Sequence, residues 1–188
     1  MAIYTKLSEA ILKEFFLKYN LGKLLKYKGI QEGIENTNYL IQMEKGKFIL
    51  TVYEKRVEER DLPFFMGLMR NLFDANFPSP EPIINKNGNY ISQILNKKAA
   101  VVSFLDGEAK KNLSPNNCNE VGIQTAKLHI ITRNLSGKRE NKLSLNSWKK
   151  IYNSIKNNCS KIHPDLPKVI EKNLDIIEKN WPKNIPSG

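Results

Sequence analysis

Apolar positions recur at helical spacing over residues 8–19, SEAILKEFFLKY, where Ile11, Leu12, Phe15, Phe16 and Tyr19 share one face and Ser8 is placed to cap it. The period then shortens to two. TNYLIQME and FILTVYE alternate apolar with polar residues on either side of Lys45-Gly46-Lys47, which predicts two strands joined by a hairpin turn. Helical spacing returns over residues 62–74, with Phe65, Leu68, Met69, Leu72 and Phe73 as the stripe, Asp61 as its cap and Pro63 in the first turn. Prolines hold FPSPEPII extended, NKNGN reads as a turn, and YISQIL and KAAVVSFL supply the next strands.

After residue 106 the pattern is helical throughout. Ser114-Pro115 opens a helix to about Thr132, a second covers roughly 147–158, and a third runs from Asp165 to Trp181 through Leu166, Ile170, Leu174 and Ile177. Strands with one inserted helix, followed by helices alone, predict an α+β architecture. Residues 1–105 form the sheet-bearing part and 106–188 the helical part, joined near Phe104–Glu108. This order is the layout of a protein-kinase-like N-lobe, a small, mostly antiparallel sheet with one helix, leading into a helical lobe.

Within that layout the stretch GIENTNYLI has two readings. A glycine and two small amides ahead of an alternating run suit an ordinary turn. They also suit a loop whose N–H groups and small side chains lie over nucleotide phosphates. The segment VVSFLDG would then offer backbone groups at Ser103 and Leu105 to an adenine edge. Phe104 would point the other way, because strand side chains alternate.

Composition narrows the class. The chain has 188 residues, 40% of them hydrophobic, enough for a sizeable core. No run approaches the roughly 18 apolar residues of a membrane span, and the N-terminus lacks a secretory pattern. The two cysteines, Cys118 and Cys159, form no C-x-x-C pair, which points to the cytoplasm. The net charge of +11 comes from lysines scattered along the whole chain, so it reads as a solvated basic surface and not a nucleic-acid stripe. Other conspicuous residues have structural readings. Cys118 joins Val121, Thr125 and Leu128 at helical spacing as a buried thiol, Trp148 and Trp181 read as core, and His129 reads as a structural and not a catalytic residue. Asp106-Gly107 fits a turn leaving the connecting strand.

The run KGIQEGIENTNYLIQMEKGKFILTVYEKRVEERDLPFFMGLM resembles the N-lobe of bacterial homoserine kinases of the aminoglycoside-phosphotransferase-like, or choline-kinase-like, superfamily. NWPKNIPSG is similar to that family's segment just ahead of its catalytic loop. The resemblance implies ATP-dependent phosphorylation of the L-homoserine hydroxyl, on the way to threonine, with Mg²⁺ as the metal. It also implies nucleotide contacts at Gly33, Asn36 and Asn38, and an adenine hinge at Ser103 and Leu105.

Two departures from the family pattern stand out. Where much of the superfamily carries a phosphate-contacting lysine on the strand after the loop, this chain has Thr51, and DLPFFMGLMRNLF has no acidic residue in its middle to pair with one. The two absences agree, since a partly buried glutamate without its cation would be an unpaired charge. Lys55 and Arg56 are alternative cations, or merely solvated strand-end charges. The second departure is the catalytic motif H-x-D-x-x-x-x-N, whose Asp orients the acceptor hydroxyl and whose Asn binds Mg²⁺. The chain's H-x-D, His163-Pro164-Asp165, has Ile170 where Asn is required, and Asp165 suits a helix cap. The expectation is an N-terminal part of a homoserine kinase, ending before its catalytic loop, with no catalytic or metal residue of its own. Apolar faces of helices 115–132 and 165–181 would be left partly uncovered. The alternatives are another small-molecule kinase of this fold, acting on an amino sugar or amino alcohol, and a non-enzymatic basic binding module.

Overall fold

The computed structural model describes residues 3–32, 35–54, 57–137, 139 and 141–182. Gly33, Lys55 and Arg56 therefore lie outside the described residues, as does the end of NWPKNIPSG. The chain forms two compact units, Met1–Gly137 and Lys138–Gly188.

The first unit is built on a five-stranded antiparallel sheet in the order β1-β2-β3-β5-β4, with β1 Leu24–Ile30, β2 Thr37–Met43, β3 Gly46–Val52, β4 Ile91–Ile94 and β5 Lys97–Ser103. Strand β1 has no counterpart in the sequence reading. Its lysines sit at an edge and its burial is partial, so no clean alternation marks it. Between β2 and β3, Met43 pairs with Gly46, which makes Glu44-Lys45 the two-residue loop. Gly46 closes that loop at φ +139°, a conformation open to glycine. NKNGN turns as expected: Asn85 Oδ1 accepts the N–H groups of Asn87 at 2.9 Å and Asn89 at 3.0 Å.

Helix α1, Glu9–Phe16, is capped by Ser8, whose Oγ accepts the Ile11 N–H at 3.4 Å. Its apolar stripe covers one face of the sheet. Leu12, Phe15, Phe16 and Tyr19 share a buried cluster with Tyr39, Ile41 and Met43 of β2, Phe48, Leu50 and Val52 of β3, and Ala99 and Val101 of β5. The opposite face carries Asn38, Leu40, Gln42, Ile49, Thr51 and Val102, all half-buried. Helix α2, Leu62–Asp74, follows a short 3-10 turn, Glu59–Asp61, and buries Leu62, Met66 and Leu72.

Helix α3, Pro115–Thr132, starts in a capping box between Ser114 and Asn117. It corrects one expectation: Cys118 is exposed. The stripe of least exposure runs through Asn117, Gln124, Leu128 and Ile131, so Cys118 is turned out to solvent and Val121 is 63% exposed. His129 is exposed on the same helix.

In the second unit α4, Leu145–Ile162, runs antiparallel to α5, Leu166–Asn180. Lys149 pairs with Glu178 at 2.5 Å and Lys156 with Glu171 at 2.6 Å, while the Tyr152 hydroxyl reaches Glu171 at 3.1 Å. Helix α4 extends past the predicted end to the residue before His163-Pro164, where proline stops it. The tryptophans also depart from the core reading. Trp148 and Trp181 meet edge to face at 5.5 Å, but Trp148 is half-buried and Trp181 is 41% exposed. Asp165 occupies the cap position of α5 without a side-chain cap bond, and its N–H instead meets His163 Nδ1 at 3.2 Å. Neither α3 nor α5 contains a buried residue. No helix among the described residues is long and apolar enough to cross a membrane.

Candidate functional site

Two of the predicted loop residues, Asn36 and Asn38, lie at the end of the sheet where β2 begins and β3 ends. Asn38 lies directly opposite Thr51, and the Thr51 hydroxyl donates to Asn38 Oδ1 at 2.8 Å. Asn36 Oδ1 accepts the Glu54 N–H at 3.3 Å. Each amide is thus anchored by its oxygen, and an amide so anchored has its NH₂ group to donate. Gly33, the third predicted loop residue, lies outside the described residues.

Thr37, between the two asparagines, faces the other way and is fully buried. Its Oγ1 accepts the N–H groups of Tyr4 at 3.0 Å and Thr5 at 3.1 Å, and donates to Glu54 Oε1 at 2.8 Å. Thr5 Oγ1 donates to the same carboxylate oxygen at 2.6 Å, and Lys97 binds Glu54 Oε2. This Thr5–Thr37–Glu54–Lys97 cluster has no counterpart in the sequence reading. Its one local signal is parity: Glu54 continues the step of two set by Phe48, Leu50 and Val52, which places a carboxylate on the covered face. Its side chain is 10% exposed.

Burial pushes the Glu54 carboxyl up, but hydrogen bonds from Lys97, Thr5 and Thr37, with the Lys97 charge, outweigh it and hold the group below the ordinary glutamate range. A carboxyl lowered by folding stabilises above its unfolded value of about 4.3, and that stabilisation is lost as pH falls through its lower folded value. Melting temperatures measured from pH 7 down to pH 3 are therefore expected to fall less steeply in Glu54→Gln than in the parent. Identical acid slopes would contradict the assignment.

At the other end of the sheet, Ser103 and Leu105 lie on the segment leaving β5. Phe104 N–H reaches the Lys47 carbonyl at 3.1 Å, so the neighbouring pair Phe48–Ser103 is of the wide kind, and the backbone groups of Ser103 point away from β3. The Ser103 N–H is committed to the Glu81 carbonyl at 2.9 Å, and Ser103 Oγ accepts the Glu81 N–H at 2.8 Å. The carbonyl of Ser103 lies on the same side as its N–H, away from β3. Arg70 of α2 braces this turn through Glu81 Oε1 at 3.0 Å. Leu105 is 48% exposed, and Phe104 lies beside Lys47, whose Nζ sits 5.5 Å from the ring centroid.

Among the described residues no group of three or more His, Cys, Asp or Glu side chains could hold a metal ion. The described residues therefore do not fit a Mg²⁺ centre.

The chain belongs to the phosphotransferase enzyme family, APH, which matches it over residues 26–188. It is 40% identical over all 188 residues to the homoserine kinase of Beijerinckia indica, and 39% identical to that of Methylobacterium radiotolerans. It spans 59% of the length of each of these relatives. Among solved structures, a spectinomycin phosphotransferase, APH(9)-Ia, crystallised with ADP and spectinomycin, superposes with a TM-score of 0.65 at 16% identity, covering 97% of this chain and 60% of that one. The protein-kinase-like α+β fold expected from the element order is therefore the fold of this chain.

Proposed function

We propose that this chain provides the nucleotide-gripping part of a homoserine kinase, ATP + L-homoserine → ADP + O-phospho-L-homoserine, in the cytoplasm. The observation that carries the reading is the pair of oxygen-anchored amides, Asn36 and Asn38, at the mouth of the β2–β3 hairpin. Their NH₂ groups are donors suited to phosphate oxygens, and anchored donors lose little freedom on binding. The hinge groups at Ser103 and Leu105 would serve the adenine edge. Likeness to homoserine kinases along the whole chain supports the choice of acceptor, and two free cysteines suit a reducing compartment.

A fluorescent ADP analogue titrated into the 188-residue chain should bind saturably and be displaced by ATP. In a coupled assay with ATP, Mg²⁺ and L-homoserine, this chain by itself should release no ADP above blank. Its sequence has Ile170 where H-x-D-x-x-x-x-N requires asparagine, and phosphoryl transfer rests on positioning and charge neutralisation by that motif. Homoserine-dependent turnover by these residues alone would overturn the assignment of roles, and no displacement at millimolar ATP would overturn the nucleotide reading.

A further inference from the structure

In kinases of the familiar pattern a strand lysine and a helix glutamate brace the phosphate end of the sheet. Here Thr51 stands at the lysine position, and helix α2 carries no acid between Leu62 and its final Asp74. The sheet nevertheless has a lysine–glutamate pair at that end, on its other face. Lys97 lies in register with Ala99 and Val101, and Glu54 with Leu50 and Val52, all four of which face α1. We propose that Glu54 and Lys97 are a positioning pair for the amide-bearing bend, bracing it from behind the sheet. The proposal rests on the nucleotide reading above and extends it to residues that never touch the nucleotide.

The geometry supports this through Glu54, which holds the bend at two points. Its N–H fixes Asn36 on one side of the chain, and its carboxylate fixes Thr37 on the other. Because neighbouring strand residues point to opposite faces, pinning Thr37 behind the sheet sets the direction of Asn36 and Asn38 in front of it. Lys97 neutralises the carboxylate and also donates to Thr5 Oγ1 at 2.7 Å. The N-terminal segment completes the clamp. Tyr39 Oη donates to the Thr5 carbonyl at 2.8 Å and accepts the Leu7 N–H at 3.0 Å. A Cβ added at Gly29 would come within 2.4 Å of Ile3 Cδ1, so the segment lies hard against β1. Two of the three donors of the Lys97 ammonium are committed to this network, on the face of the sheet opposite Asn38.

The test compares the parent chain with Glu54→Gln, Lys97→Met and Lys97→Arg, each studied 20 °C or so below its own melting temperature. The readouts are affinity for the fluorescent ADP analogue and amide exchange at residues 35–38. Glu54→Gln and Lys97→Met should weaken binding about 3- to 30-fold and speed exchange at 35–38, with Lys97→Arg restoring both. Lower melting temperatures with unchanged affinity and unchanged exchange at 35–38 would make the pair merely structural and overturn the proposal. Should Glu54→Gln not fold, Thr5→Val removes a single donor to the same carboxylate and is held to the same readouts. A parent chain that binds no nucleotide would sink the functional reading instead, and the exchange comparison would still decide the role of the pair.

Discussion

Replacing Phe15 by alanine should lower the melting temperature of the sheet-bearing unit by roughly 10–20 °C, the equivalent of about 3–5 kcal/mol. Phe15 is 2% exposed at the centre of the α1 face. Its ring meets Phe16 edge-on at 5.2 Å and Tyr19 at 5.4 Å, and those contacts add to the simple burial of its area. The neighbouring aromatic rings are held by the helix backbone on one side and the sheet on the other, so the space left by truncation cannot close. A loss of that size is a large share of the 5–15 kcal/mol that typical domains possess. Leu17→Ala, two residues on but 72% exposed, is the matched control and should change stability by no more than about 0.5 kcal/mol. Equal melting temperatures for Phe15→Ala and the control would show that α1 does not seal the sheet.

Changing Asn38 to aspartate should weaken ATP binding about 10- to 100-fold while leaving the unliganded chain folded. The substitution preserves shape, and the Thr51 hydroxyl can still donate to the retained oxygen. What changes is the NH₂ group: a donor becomes an anion. Losing a hydrogen bond to a charged partner is worth about 1.5–3 kcal/mol, and repulsion between the new carboxylate and the triphosphate adds to it. The repulsive share should shrink at high salt, which separates it from the lost donor. Binding measured by displacement of the ADP analogue at two ionic strengths checks both parts. Unchanged affinity would remove Asn38 from the nucleotide site.

How much of this was legible depended on how local each signal was. The stripe of α1 and the alternation of β2 and β3 are written within a dozen residues each; helix α2 is legible as an element, but of its expected stripe only Leu72 is buried, Phe73 is exposed, and Leu62 and Met66 are buried instead. Strand β1 is not legible, because LLKYKGI has its lysines exposed at an edge and takes its strand form from pairing with β2. Asn36 and Asn38 stand out through the family resemblance, since a glycine and two amides by themselves suit an ordinary turn as well. Their partners are not legible locally, because Thr51 stands out only as a replacement for a lysine, and Glu54 meets Thr5 and Lys97 across sequence separations of 49 and 43 residues. Cys118 departs from its expected burial for the opposite reason. Its spacing is helical and real, but α3 turns Gln124 and Ile131 away from solvent, and a helical period alone does not say which stripe a neighbour covers.

The clamp at the amino end also sets an order of events during synthesis. Thr5 and Lys97 are 92 residues apart, so at about 5–20 residues per second the ribosome makes the lysine roughly 5–20 seconds after the threonine. Until then Glu54 has no cation, and the first few residues have only part of their anchorage. Proteolysis of stalled nascent chains should find residues 3–7 cleavable until Lys97 has cleared the exit tunnel and protected afterwards. Protection at shorter lengths would mean that the threonines alone latch the segment.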